Sequence, residues 1–293
     1  MRNALILLLW VVWCLPTLAQ QAPRALIVIA HPDDETAFAA TVYKITHELQ
    51  GTVDLCVVTN GEGGYKYSLL AEPIYGLKLT EEAVGRQHLP RIRKQELMQA
   101  GKIIGINNFF FLDQKDAHYS TDEHEPLDTS WNVPLVQNRL REIMVNGKYG
   151  IVFCLLPTVE THGGHKAASL MALRVAQSLP EASRPAVLGA GVSSERDSVR
   201  HFTQLKQYAE TATAADTAMF HFNRNQKFGY KNALSYQIVV NWEIAEHKSQ
   251  GTMQLAMNQG AREDFWLFQC SPSNRVPYLN ELFERLATRP GER

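Results

Sequence analysis

Two short stretches carry side chains suited to chemistry, and both follow apolar runs. In "LIVIAHPDDETAFAATVYKI" (26–45) an apolar run ends in His31-Pro32-Asp33-Asp34-Glu35, and a helical pattern follows at once. If that helix starts near Asp33, residues three apart share one side of it. The imidazole of His31 and the carboxylate of Asp34 then converge above the strand end. Asp33 lies between them, where the helix macrodipole favours its charged form. Two such ligands suit a divalent cation, and the spare carboxylate is placed to take a proton from a water that the cation activates. A plain helix N-cap built from Asp33 or Asp34, with His31 turned to solvent, uses the same residues.

The second stretch, "PTVETHGGHKAAS" (157–169), holds His162 and His165, again three apart and again between an apolar run and a helix. A ligand from a second strand end is what a three-ligand catalytic zinc site needs, with its fourth position left to water. Either histidine alone reads as a loop residue in hydrogen-bonded surroundings. Two strand ends that both supply ligand-type residues make the cap reading insufficient.

Strands and helices have to bring these residues together. Apolar runs at 25–30, 53–59, 108–112 and 150–156 read as strands, and helical patterns lie at about 35–49, 92–104, 132–147 and 165–178. This alternation implies an α/β fold, Rossmann-like and doubly wound, with a mainly parallel sheet and helices on both faces. In such sheets ligands bind beyond the carboxyl ends of the strands. The segments leaving those ends are His31–Glu35, Asn60–Gly64, Asp113–Asp116 and Pro157–His165. Past residue 185 the pattern is less regular. Helices are expected near 200–219 and 240–258, an apolar stretch lies at 264–270, and the lack of an obvious linker assigns 20–293 to one domain.

Composition narrows the function. Among 293 residues, 29 Lys and Arg balance 30 Asp and Glu for a net charge of −1, which argues against a protein built to hold nucleic acid or an anionic membrane surface. Residues 1–19 have one early Arg, an apolar run, Pro16 and a small-residue ending at Ala19, the layout of a signal peptide cleaved after Ala19. The run is short for a retained span, so an exported protein, periplasmic or secreted, without a stable membrane span is expected. Cys56 and Cys154 sit in strand-like runs as small buried hydrophobes, and no Cys-x-x-Cys spacing occurs.

The set Ala30-His31-Pro32-Asp33-Asp34-Glu35, Thr59-Asn60-Gly61-Glu62-Gly63-Gly64, Arg93-x-x-Glu96 and His162-x-x-His165, in that order, resembles the PIG-L/LmbE family of zinc-dependent N-deacetylases. Ala245-x-His247-x-Ser249-Gln250 and Glu263-x-Phe265 extend the resemblance over about 24 to 268. It implies removal of an N-acetyl group from an N-acetylglucosamine-containing or related amide. It makes His31, Asp34 and His165 the ligands of Zn2+, with another divalent metal possible, and Asp33 the general base. His162 would stabilise the oxyanion or protonate the leaving amine. Arg93 and Asp116 fall at sugar-binding positions, where a surface Arg93–Glu96 pair and a turn-forming Asp are the plainer readings. Asn60 and Glu62 would shape the second loop around a small-molecule or glycan substrate. The chain departs from the family at Gly164, where an acidic residue is usual, and it lacks a tyrosine just before His162. A metal hydrolase for another acyl amide or ester, and a carbohydrate-binding protein without catalysis, are the alternatives. A nucleotide-binding Rossmann protein is disfavoured, because the first loop carries acids where a phosphate cradle needs glycines.

Overall fold

The computed structural model describes residues 22–289, so the signal peptide expected at 1–19 lies outside the described residues. The strands are β1 (Arg24–Ile29), β2 (Thr52–Thr59), β3 (Ile106–Gln114), β4 (Ile151–Leu155), β5 (Ala186–Ser193), β6 (Phe220–Asn223), β7 (Lys227–Phe228), β8 (Leu234–Ser235) and β9 (Arg262–Leu267). Seven of them form one sheet in the order β3-β2-β1-β4-β5-β9-β6, and β7 pairs with β8 apart from it. The five from β3 to β5 are parallel, whereas β9 runs antiparallel to both β5 and β6. The α-helices are α1 (Ala39–His47), α2 (Glu72–Tyr75), α3 (Glu82–Ile104), α4 (Val133–Gly147), α5 (Gly163–Ser178), α6 (Tyr236–Glu246) and α7 (Val276–Ala287).

The unbroken apolar sequence of β1 follows from burial on both faces. Ala25, Ile27 and Ile29 pack with Val42 of α1, Val240 of α6 and Leu282 of α7. Leu26, Val28 and Ala30 point the other way, into a core with Leu140 of α4 and Leu170 of α5. Each fully buried Val, Leu or Ile among them contributes about 1.5–3 kcal/mol of transfer free energy. Cys56 and Cys154 are free and buried in this second core. No helix among the described residues is long and apolar enough to cross a membrane.

The strand order positions the candidate site. From β1 the chain moves outward to β2 and β3, then crosses to the other side of β1 for β4 and β5. The reversal opens a crevice between the carboxyl ends of β1 and β4, the place where open α/β sheets bind ligands. His31–Asp34 leave one side of it, and residues 157–165 leave the other.

Four expected elements differ, one being the helix expected at 240–258, which runs over Tyr236–Glu246 and gives way to a 3-10 turn at Met253–Ala256. The first helix begins as a 3-10 turn, Asp34–Phe38, before α1 takes over. The helix α3 starts ten residues ahead of the expected span and passes through Pro90. The helix expected at 200–219 is absent, with one 3-10 turn at Ala209–Thr211 in its place. Threonine chemistry explains this. The Leu205 N–H donates to Thr211 Oγ1 at 2.8 Å, and Thr213 Oγ1 donates to the Phe202 carbonyl at 2.8 Å. Such local bonds offer the backbone an alternative to the helical ladder. Phe202, Leu205 and Tyr208 then pack on the second core from an irregular segment.

Asp264 of β9 ties the antiparallel edge together. Ser193 Oγ of β5 donates to it at 2.6 Å, His221 Nδ1 of β6 lies 2.6 Å away, and Arg262 Nε donates at 2.5 Å. Burial works against its charge, but the bonds from His221, Arg262 and Ser193 prevail and lower its pKa to about 2. A folded-state pKa below the ordinary carboxylate value confers stability that is present above pH ~4 and lost as pH falls towards 2. Asp264→Asn is therefore expected to lower Tm by about 5 °C at pH 7. Melting curves across pH should show that difference shrinking between pH ~4 and 2.

Candidate active site

Asp34 joins the two sides of the crevice. Its Oδ2 accepts the backbone N–H groups of Ala30 at 3.1 Å and His31 at 2.8 Å, which fixes the carboxylate at the end of β1. Its Oδ1 lies 2.9 Å from His165 Nε2, and Oδ2 lies 3.5 Å from His31 Nδ1. The rings of His31, His162 and His165 have centroids 4.8, 5.1 and 5.3 Å apart, and one nitrogen of each lies within 4.8 Å of the others. Asp116, from the segment after β3, places Oδ1 3.7 Å from His31 Nε2 and accepts the Gly63 N–H through Oδ2.

The electrostatics of this cluster call for positive charge. Burial works against a charged His31, yet the carboxylates of Asp116 and Asp34 outweigh it and raise its pKa to about 10. Burial likewise works against charged Asp34 and Asp116, but His165 and His31 hold the first well below the usual carboxylate range, and His31 lowers the second. Imidazole nitrogens and carboxylate oxygens converging on one buried point are the donors a divalent cation takes, and the residues fit such an ion.

The two loop histidines differ in which nitrogen is free. His162 is the N-cap of α5, with Nδ1 accepting the Gly164 N–H at 2.9 Å. Burial and the neighbouring His31 and His165 lower its pKa to about 4. A neutral imidazole whose Nδ1 accepts a hydrogen bond carries its proton on Nε2, so His162 presents an N–H donor. His165 Nδ1 lies 3.0 Å from Thr161 Oγ1, which leaves Nε2 facing Asp34. Gly164 also makes room, since a Cβ there would come within 3.1 Å of the His31 ring. The backbone N–H of Gly164 thus donates to the ring nitrogen from which an acidic side chain would accept, and so fixes the opposite tautomer of His162.

Asp33 is held in strain. Its φ is 128°, a region that L-residues avoid, and such outliers cluster at functional sites. Its N–H donates to Glu35 Oε2 at 2.9 Å, and its carboxylate sits 3.0 Å from Arg93 Nη2. Burial raises the Asp33 pKa, and Arg93 counters part of that rise. Arg93 is 3% exposed and also donates to the carbonyls of Gly61 and Pro32, so α3 clamps the loops after β1 and β2. The surface pair of Arg93 with Glu96 does not form. Glu96 instead accepts from Ser249 N at 2.9 Å, Ser249 Oγ at 2.6 Å and Tyr75 Oη at 2.7 Å. Gly61 sits at φ 69°, which strains other residues, and a Cβ there would lie 2.0 Å from Arg93 Nη1 and force the clamp to shift.

A cavity of about 440 Å³ opens onto the cluster, lined in part by Asp33, Arg93, Asp116, His162 and His165. Asn60 and Glu62 do not line it. Glu62 stands behind it, its Oε1 accepting the Asp116 N–H at 3.1 Å. The sequence reading gave no role to several residues here. Tyr119 lines the cavity and stacks edge-on against His162 with centroids 5.0 Å apart. Behind Asp33, fully buried His247 places Nε2 2.6 Å from Glu35 Oε1 and 3.4 Å from Glu243 Oε1. Glu35 and His247 belong to recognised motifs. Tyr119 had no signal, because its segment has no periodic pattern.

The family described as PIG-L, GlcNAc-PI de-N-acetylase, matches residues 26–176, from β1 through most of α5. Two curated relatives, both described as probable N-acetyl-alpha-D-glucosaminyl L-malate deacetylase 2, are similar to the chain. The one from Bacillus subtilis (strain 168) is 24% identical over 176 residues, 60% of this chain and 71% of its own length. The one from Bacillus cereus (strain ATCC 14579) is 23% identical over the same shares. Among solved structures, GalB, the 4-carboxy-2-hydroxymuconate hydratase of Pseudomonas putida KT2440, aligns with TM-score 0.52 and 13% identity over 84% of this chain and 95% of its own. A deacetylase triple mutant of the teicoplanin biosynthetic pathway aligns with TM-score 0.50 and 15% identity over 84% and 97%. These structures share the fold alone. A hydratase beside a deacetylase means that the reaction must be argued from the site.

Proposed function

The chain belongs to the PIG-L family, and from that premise we propose that it is a metal-dependent N-deacetylase acting on an N-acetylglucosamine-containing or related amide. The observation that carries the reading is the convergence of His31, Asp34 and His165 beside a strained Asp33 and a neutral, N–H-bearing His162.

His31, Asp34 and His165 would hold the ion, with His162 left out because its Nε2 bears a proton. When bound, a divalent ion lowers the pKa of a water at that point to about 7 and polarises the amide carbonyl. Zn2+ is our choice of ion for a His, Asp, His donor set. Asp33 takes the proton of the attacking water as the C–O bond forms, and delivers it to the nitrogen as the C–N bond breaks, leaving acetate and a free amine. Arg93 holds the Asp33 carboxylate in place through Nη2 at 3.0 Å. His162 Nε2–H donates to the carbonyl oxygen as negative charge grows on it. With a pKa of about 4 it does so as a neutral donor at physiological pH. Asp116, on the Gly63 N–H, faces the cavity as an acceptor for a sugar hydroxyl.

The reading extends to residues 20–293 acting as one domain and, on the sequence of residues 1–19, to an exported enzyme. Acetate release from a panel of N-acetyl amino sugars, with and without chelator, tests it. Chelator-sensitive release and about one zinc per chain are expected. Absent or chelator-insensitive release across the panel overturns the reading.

A further inference from the structure

The peptide unit that joins Pro32 to Asp33 is gripped at both ends. Its carbonyl accepts from Arg93 Nη2, and its N–H donates to Glu35 Oε2 at 2.9 Å. A peptide unit is planar, so fixing both groups fixes its rotation and, with it, the Asp33 φ of 128°. Half a turn of this unit would bring φ to about −52°, which with the ψ of −18° is close to ordinary 3-10 backbone. The 3-10 turn that starts at Asp34 would then begin one residue earlier. The strained orientation persists because its surroundings impose it.

Glu35 is the part of the grip that distinguishes the two orientations. After half a turn the N–H would face the Arg93 guanidinium and the carbonyl would face the Glu35 carboxylate. Donor would meet donor, and acceptor would meet acceptor. Glu35 cannot turn aside, because it is fully buried and its other oxygen, Oε1, lies 2.6 Å from His247 Nε2. Nε2 also lies 3.4 Å from Glu243 Oε1, so between two carboxylates it is an N–H-bearing nitrogen. With an N–H on each oxygen, Glu35 is an acceptor on both sides. Glu243 is fixed in turn by Thr36 Oγ1, which donates to its two oxygens at 3.0 and 2.8 Å. The His247 carbonyl is anchored as well, accepting from Gln250 N at 3.0 Å and Gln254 Nε2 at 3.1 Å. His247 and Glu243 lie outside the residues that the family matches.

Resting on the deacetylase reading, we propose that Glu35 and His247 are positioning residues, a brace that holds the Pro32–Asp33 peptide in its strained orientation. Neither touches the substrate. They act through Arg93, which bonds both the Pro32 carbonyl and the Asp33 carboxylate. A peptide that turned over would release the guanidinium and with it the carboxylate on which proton transfer depends.

Glu35→Gln is the discriminating variant, because it keeps the shape and changes the pattern of donors. The His247 N–H claims the amide oxygen, which leaves the amide nitrogen towards the peptide, where only the turned carbonyl can accept it. His247→Leu instead removes the N–H that steadies Oε1. In both, kcat is expected to fall about 10–10²-fold, with KM within about threefold and zinc retained. Crystal structures of the variants are expected to show the Asp33 φ at about −52°. A merely structural role would lower Tm and leave kcat per zinc-loaded site unchanged. A φ that stays at 128° in Glu35→Gln, or a parental kcat once φ has turned, overturns the brace. Parental kcat and φ in His247→Leu would remove His247 from it, and if that variant fails to fold, Glu35→Gln decides. A turned φ in Glu35→Gln, with no acetate released by the parent from any N-acetyl sugar, would sink the deacetylase reading and leave the peptide brace standing. Acetate release by the parent with an unmoved φ would do the reverse.

Discussion

Asp33→Asn is expected to keep the bound metal and lose about 10²–10⁴-fold in kcat. The substitution is nearly isosteric, so Arg93 keeps a partner oxygen, and the strained backbone keeps its bond from Asp33 N–H to Glu35. What is lost is the ability to take a proton from water and return it to the leaving nitrogen. None of the three proposed ligands, His31, Asp34 and His165, is changed, and Asp34 keeps its backbone donors from Ala30 and His31. Zinc content and kcat measured on one preparation separate the two roles. Full activity in a zinc-loaded Asp33→Asn protein would show that the base is another residue.

His165→Ala is expected to behave in the opposite way, with metal affinity falling by on the order of 10²-fold or more and activity following it. His165 Nε2 is the group facing Asp34 Oδ1, so its removal leaves Asp34 without its nearest partner across the crevice. The helix α5 should survive, because its cap is His162 and not His165. Circular dichroism close to that of the parent with metal missing is the expected result. A His165→Ala protein that retains one zinc at parental affinity would transfer the ligand role to His162.

Much of this was legible in residue order. Burial on both faces made β1, β2 and β4 readable as apolar runs. Because the turns after β1 and β4 are short, His31–Asp34 and His162–His165 could be assigned to strand ends. The side of the sheet on which each strand lay was not readable, since the β1/β4 switch depends on long-range pairing. Arg93 shows a different limit. On a helix its spacing to Glu96 suggests a surface pair, and only the packing of α3 against the loops after β1 and β2 turns it inward. The irregular run at 200–219 misled because its threonines, unremarkable in a helical pattern, bond to the local backbone. Tyr119 reaches the cavity from a segment without periodicity, where sequence spacing says nothing about direction.

His162 shows how one side chain can serve two purposes at once. Its Nδ1 accepts the N–H that starts α5, while its Nε2–H is the donor that the proposed reaction assigns to the carbonyl oxygen. Alanine at this position would remove both, so lost activity could not be told apart from a frayed helix.

The ties behind Asp33 bear on how the gene could be cut. Glu35 meets His247, Thr36 meets Glu243, Glu96 meets Ser249, and Glu263 caps α1, so every one of these contacts joins the first half of the chain to residues past 240. A fragment ending at residue 176 would contain every residue assigned to chemistry here and still lack the partners that hold them. The recognisable half is therefore not a portable module. Chimeras that graft it onto a foreign tail would have to carry the buried glutamate, histidine and serine partners with it.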